Sequence, residues 1–224
     1  MKIAIMVAME KELALLLPLL RDAATTTINK ITYHTGKIHD RKVVVCQCGI
    51  GKVNAAVSAL TMIENFHPAL LINTGVAGGT GAAGILDVVI GSPVAYHDVW
   101  CGPGTVEGQA AGCPQVFECP LPAEVIDSLG DNVRAGLIAT GDVFVSDPDV
   151  LRRILTVHPD AMAVDMESAA IAQVCHIKDV PFISLRVISD TPGDDTDNIS
   201  QYENFWSDAP RNAFRVVEAL IEKL

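Results

Sequence analysis

The chain has 224 residues, of which 50% are apolar, and it carries a formal net charge of −11. That apolar share excludes disorder and can fill the core of one large domain spanning residues 1–224. The 16 Lys and Arg residues are scattered, which excludes a nucleic-acid backbone as partner, because phosphate binding needs clustered cations.

Ile3 to Met9 is a continuous apolar run, the pattern of a strand buried on both faces. Glu10 to Leu20 reads as a helix with acids in its first turn, where the dipole favours them. Ile31 to His34 and Lys42 to Cys48 are rich in β-formers and flank a polar turn, so they predict a hairpin or two successive strands. Lys52 to Phe66 places Val53, Ala56, Leu60 and Ile63 at helical spacing and predicts an amphipathic helix with those residues inside. Ala69 to Thr74 is a further buried strand, ending at Gly75, and Val88 to Ala95 is another extended piece. Residues 99–123 are rich in Gly, Pro and Cys and have no period, so they form a long surface excursion. Beyond it come a strand at Ala135 to Gly141 and a helix at Asp147 to Val157, capped by Asp147 or Asp149. A strand at Ala161 to Val164, a helix at Glu167 to Ile177 and a strand at Val180 to Ser189 follow. One long helix closes the chain at Asn204 to Leu224, with Phe205, Ala213, Val216, Val217 and Leu220 inside.

Near-continuous apolar strands alternating with helices imply a three-layer α/β fold, a mixed but mostly parallel central sheet flanked by helices. In such sheets ligands sit beyond the carboxyl ends of the strands. Glu12, the Gly75 turn, the Phe144 loop, Glu167 and Asp190 all fall at or just past such ends. Carboxylates are costly to desolvate, so strand ends carry them mainly where a ligand or an opposite charge meets them. Three acids and Arg186 therefore make a candidate site for acid/base chemistry on a neutral, hydroxyl-rich substrate.

Other motifs carry less. Gly79 to Gly84 spells G-x-G-x-x-G, but Ile85 to Ile90 after it is strand-like, whereas a dinucleotide fingerprint opens a helix. Gly49-Ile50-Gly51-Lys52 lacks the upstream Gly and the following Ser or Thr of a phosphate loop. Asp194, Asp195 and Asp197 read as a solvated acidic loop and fit no EF-hand spacing. Among the histidines, His97 beside Asp98 is the one set apart by its place after a strand. The six cysteines include a C-x-C rather than a C-x-x-C, and they read as reduced, mostly buried thiols rather than disulfides or a zinc site. No apolar stretch reaches the ~18 residues of a membrane span. The charges at Glu10, Lys11 and Glu12 interrupt the first apolar run too early for a secretory leader. The expected location is cytoplasmic.

Seven segments in order resemble one family. They are Met6 to Glu12, Gly49 to Ala56, Asn73 to Gly79, Tyr96 to Asp98, Gly141 to Phe144, Val164 to Ala170 and Arg186 to Asp190. Together they are similar to the bacterial 5′-methylthioadenosine/S-adenosylhomocysteine nucleosidases of the nucleoside phosphorylase superfamily. The resemblance covers nearly the whole chain and is weakest between residues 99 and 125. It implies hydrolysis of the bond between adenine N9 and ribose C1′, with no cofactor and no metal. It assigns Asp190 as the general acid at purine N7, supported by Ser189, and Glu12 as the base that deprotonates water. Glu167 takes the 2′- and 3′-hydroxyls, Met166 packs under the sugar, and Arg186 holds the carboxylate network. Phe144 stacks on the purine and the Val145 backbone reads its edge. Met9, Ile50, Val76, Ala77, Gly78 and Tyr202 complete the expected substrate surface, with Tyr202 over the 5′ group.

The resemblance also implies a homodimer in which the 99–125 loop reaches the neighbouring site. Val76 stands where many members have Ser, and Pro103, Thr105 and Ala111 replace bulkier residues, so the 5′ preference stays open. A phosphorylase, a futalosine-type hydrolase and a non-catalytic nucleoside-binding protein are the alternatives. A carboxylate at Glu12 repels phosphate, which favours water as nucleophile.

Overall fold

The computed structural model describes residues 1–193, 197–208 and 210–224. In chain order the elements are β1 (Lys2–Val7), α1 (Glu10–Leu16), β2 (Arg21–Ile28), β3 (Ile31–Ile38), β4 (Arg41–Gln47), α2 (Lys52–Phe66), β5 (Leu70–Gly79), β6 (Val88–Tyr96) and α3 (Ala123–Asp127). They continue as β7 (Val133–Thr140), α4 (Pro148–Val157), β8 (Ala161–Asp165), α5 (Ser168–Ile177), β9 (Phe182–Asp190), α6 (Asn198–Asp208) and α7 (Pro210–Lys223).

The strands form one nine-stranded sheet in the order β2-β3-β4-β1-β5-β8-β7-β6-β9, and β9 also pairs with β5. Five of its nine pairings are parallel and four antiparallel. The expected mixed, mostly parallel sheet is the one observed. Because β9 pairs with both β5 and β6, the strands β5, β8, β7, β6 and β9 close on themselves.

Alternation along the strands sets the layers. In β1, Ala4 and Met6 face the core under α2 and α5, with Ala55, Ala59 and Ile171. Ile3, Ile5 and Val7 face the opposite core, with Leu16 of α1 and Val217 and Leu220 of α7. β9 is split the same way, Ile188 to the first core and Ile183, Leu185 and Val187 to the second. Helices therefore cover both faces.

Several expectations are corrected. The helix expected to reach Leu20 stops at Leu16 and tightens into a 3-10 turn over Leu17–Leu19. Pro18 has no N–H to give the next α-turn. Directly after it runs β2, an unexpected strand, whose side chains are almost all exposed. Such an edge strand carries no buried periodicity, and only its Thr run hinted at it. β5 does not end at Gly75 but runs on to Gly79, with a register shift at Ala77/Gly78. On α2 the expected inner face is partly reversed: Ala55, Ala59, Met62 and Ile63 are buried, whereas Val53, Val57 and Leu60 are exposed. The expected closing helix begins six residues early, at Asn198, and its described parts are α6 and α7 on either side of residue 209, which lies outside the described residues. Asp147, not Asp149, caps α4 by accepting from Asp149 N at 2.8 Å. A short helix, α3, follows the irregular excursion. Asp194, Asp195 and the side chain of Ala213 lie outside the described residues.

Candidate active site

Three strand ends and one helix start converge at the carboxyl end of the sheet. α1 begins three residues past the end of β1, and its third residue, Glu12, turns inward rather than to solvent. One carboxylate oxygen accepts from the N–H groups of Ala8 and Met9, both at 2.9 Å, and the other from Val76 N at 3.0 Å. Val76 thus contributes its backbone, and the absent Ser hydroxyl is no part of this contact. A Cβ on Gly75 would lie 2.5 Å from Glu12 Oε1 and 2.6 Å from an Arg186 guanidinium nitrogen. That close approach, rather than a turn, is the reason for glycine in mid-strand.

Arg186 comes from β9 and is buried. Its guanidinium meets Asp165 at 2.5 Å and Glu167 at 3.3 Å, and it also donates to Asn73 and to Ser168. Asp165 ends β8 and is fixed in turn by Thr140 Oγ1 and Ser168 Oγ, each at 2.5 Å. Glu167, two residues on, accepts from Gly51 N at 2.9 Å. Burial works against the charge on Arg186, but Asp165, Glu167 and Glu12 outweigh it and raise its pKa. Asp190 closes β9, with Ser189 Oγ donating to one oxygen at 2.7 Å and Asn198 Nδ2 to the other at 3.2 Å.

The electrostatics follow from crowding three buried carboxyls, Asp165, Glu167 and Glu12, around one cation, with Asp190 held apart by Ser189 and Asn198. Burial raises the pKa of Glu12 against the pull of Arg186 and three backbone N–H groups. Burial pushes Glu167 up to about 7, with Arg186 opposing. Asp190 is raised by burial too, while Ser189 and Asn198 favour its anion and hold the shift back.

All fourteen residues expected in the site line one cavity. Glu12, Arg186, Glu167, Ser189 and Asp190 line it together with Met9, Ile50, Val76, Ala77, Gly78, Phe144, Val145, Met166 and Tyr202. Ala8, Val143, Val164 and Asp165 line it as well. Ile50, Val143 and Phe144 are about half exposed and form its lip. Tyr202 meets Phe144 edge-on at 5.8 Å and donates to Met9 Sδ at 3.3 Å. His97 does not line the cavity. Burial lowers its pKa, and a Cβ on Gly141 would press on its ring.

Sequence reasoning missed Asp165 and Asn198 as site residues. Asp165 carried a signal, an acid at the very end of an apolar strand; Asn198 carried none, because its reach depends on where α6 packs. Among the described residues, no group of three or more His, Cys, Asp or Glu side chains is placed to hold a metal ion.

Comparison with known proteins agrees with this geometry. The phosphorylase superfamily profile matches residues 2–222. A 5′-methylthioadenosine/S-adenosylhomocysteine nucleosidase of Anoxybacillus flavithermus is 37% identical over 232 residues, covering 100% of this chain and 99% of the relative. The structure of the Streptococcus pneumoniae MTA/SAH nucleosidase in complex with 8-aminoadenine superposes with a TM-score of 0.93 at 38% identity, over 100% of both chains. That of the S-adenosylhomocysteine nucleosidase of Streptococcus pyogenes in complex with 5-methylthiotubericidin gives 0.93 at 36%, over 100% of this chain and 97% of the other. Fold and site thus define a member of the phosphorylase superfamily. Within it, the chain belongs to the family of 5′-methylthioadenosine/S-adenosylhomocysteine nucleosidases.

Proposed function

We propose that this protein hydrolyses the N-glycosidic bond of 5′-substituted adenosines such as 5′-methylthioadenosine and S-adenosylhomocysteine, releasing adenine. The observation that carries the reading is the convergence of Glu12, Glu167, Arg186 and Asp190, all buried, on one cavity with an aromatic lip. Adenine leaves poorly unless N7 takes a proton. Asp190, whose neutral form burial favours, is suited to bring that proton. Its proton passes to N7 as the C1′–N9 bond breaks. Glu12 takes a proton from water, and the hydroxide oxygen bonds C1′. Glu167 binds the ribose hydroxyls, and the carboxylates stabilise the positive charge that grows on the sugar. Phe144 and Tyr202 give the base and the 5′ group an apolar wall.

Water rather than phosphate is the nucleophile in this reading. The cation lining the cavity, Arg186, is already engaged by Asp165, Glu167 and Asn73, and Glu12 faces the nucleophile's side. The protein works as a homodimer whose 99–125 loop helps cover the neighbouring 5′ pocket. Exposed Val53 and Val57 on α2, with Trp100 and Val106 on the excursion, supply the apolar surface. Six free thiols suit a reducing cytoplasm.

Adenine release from 5′-methylthioadenosine, with and without phosphate, tests the reaction. Equal rates are expected, and strict dependence on phosphate overturns hydrolysis. Asp190→Asn should lower kcat by about 10²- to 10⁴-fold, the usual range for a general acid, with the circular-dichroism spectrum unchanged.

A further inference from the structure

Asn198 opens α6, is buried, and points its carboxamide into the corner between the proposed general acid and the purine-reading strip. Its Nδ2 donates to Asp190 Oδ2 at 3.2 Å and to the Val145 carbonyl at 3.3 Å. Both partners are acceptors, which fixes the orientation of the amide. The rest of the same helix face is tied down beside it: Gln201 Oε1 accepts from Thr191 N at 2.8 Å, and Tyr202 reaches Met9.

The 6-amino group of adenine is chemically the same donor. It is a planar NH2 on an sp2 carbon with two hydrogens to give, and it neighbours N7 on one edge of the base. A base whose N7 meets Asp190 and whose edge is read by the Val145 backbone brings its 6-amino group to the two acceptors that Asn198 holds. The two NH2 groups cannot share that corner.

We propose that Asn198 is a specificity-determining residue for the substituent at C6: its carboxamide stands in for the 6-amino group, and the amino group must displace it to bind. This rests on the nucleosidase reading above and adds to it a selection rule. A 6-amino base replaces both of Asn198's hydrogen bonds with its own. A base with hydrogen at C6 brings no donor and leaves the carboxamide in place. A 6-oxo base likewise brings no donor to displace the carboxamide and sets its own acceptor against the Val145 carbonyl, which is the situation that discriminates most sharply.

The experiment compares calorimetric affinities of adenine and unsubstituted purine, in the wild type and in Asn198→Ala. Removing the competitor should tighten adenine and leave purine where it was, so the adenine-to-purine affinity ratio rises about 3- to 10-fold, the order of a net hydrogen-bond contribution. A role confined to holding α6 in place moves both ligands together and leaves the ratio fixed, which overturns the proposal. A falling ratio overturns it too, because Asn198 would then be helping the amino group rather than yielding to it. Should Asn198→Ala be unstable, Asn198→Ser keeps a polar residue at the start of α6, is too short to span both acceptors, and makes the same comparison. A wild type that binds neither adenine nor purine and cleaves no adenosine refutes the underlying function and this rule with it. A wild type that cleaves adenosines while the ratio stays fixed refutes the rule alone.

Discussion

Asp190 sits under two opposed influences, and the balance between them sets the working pH. Burial favours its neutral form, while the donated hydrogen bonds of Ser189 and Asn198 favour the anion. A general acid must hold its proton, so activity falls as pH rises through the raised pKa. Ser189→Ala removes a donor to the anion, raises that pKa further and moves the alkaline limb of the kcat/KM profile to higher pH. A limb that stays still or moves down refutes the assignment. Glu167 follows the same logic for stability. Its pKa is about 7 in the fold and 4.5 ordinarily, so the folded state binds the extra proton between those values. The contribution of this group is therefore complete below about pH 4.5 and is lost as pH rises through 7.

Elements place those residues, and glycines and distant side chains decide how closely. β5 and β9 run parallel with Gly75 opposite Arg186, and Glu12 enters from α1 across the gap. Gly75→Ala forces a methyl into that gap. Thermal unfolding should show a loss of about 1–3 kcal/mol, the cost of overpacking, and activity should fall with it because the atoms that must yield are Glu12 and Arg186. The start of α2 depends on a similar long-range contact. Gly51 offers no capping side chain, and Asp142 from the loop after β7 accepts from Lys52 N at 2.7 Å, while Lys52 Nζ pairs with Asp98 at 2.7 Å. Asp142→Ala should cost about 0.5–2 kcal/mol in denaturant unfolding. It should also raise KM, since Gly51 N, together with Arg186, helps to hold Glu167.

This pattern explains what could be foreseen. The apolar strands β1, β8 and β9, and Glu12, Glu167 and Asp190 at or just past their ends, were visible because burial on both faces leaves an unbroken apolar run, although Asp165 at the very end of β8 was passed over. The edge strand β2, the early start of α6 and the role of Asn198 were not, since each is decided by packing between segments far apart in the chain. The continuation of β5 through Gly75 was hidden for a different reason. Its glycine answers to two side chains and not to a bend.

For the whole molecule the open question of surface is on α2. Val53 and Leu60 sit at a spacing expected to face the core, yet both are exposed, as is Val57, while smaller neighbours are buried. A helix apolar on two faces suits two partners, the sheet on one side and a second subunit on the other. Val57→Asp should convert a dimer to monomers in sedimentation and weaken turnover of bulky 5′-substituted substrates more than that of adenosine. A native-size species that remains dimeric refutes this interface. The closure of β5, β8, β7, β6 and β9 has a bearing on association as well. Among the described residues, every strand except β2 has neighbours on both flanks, so the free strand edge they offer a stray chain is that of β2. That flank shows solvent a row of threonines with Arg21 and Asp22 at its start, poor material for a growing fibril. Crowded or partly denatured preparations should therefore stay free of ordered aggregates for as long as the ring holds.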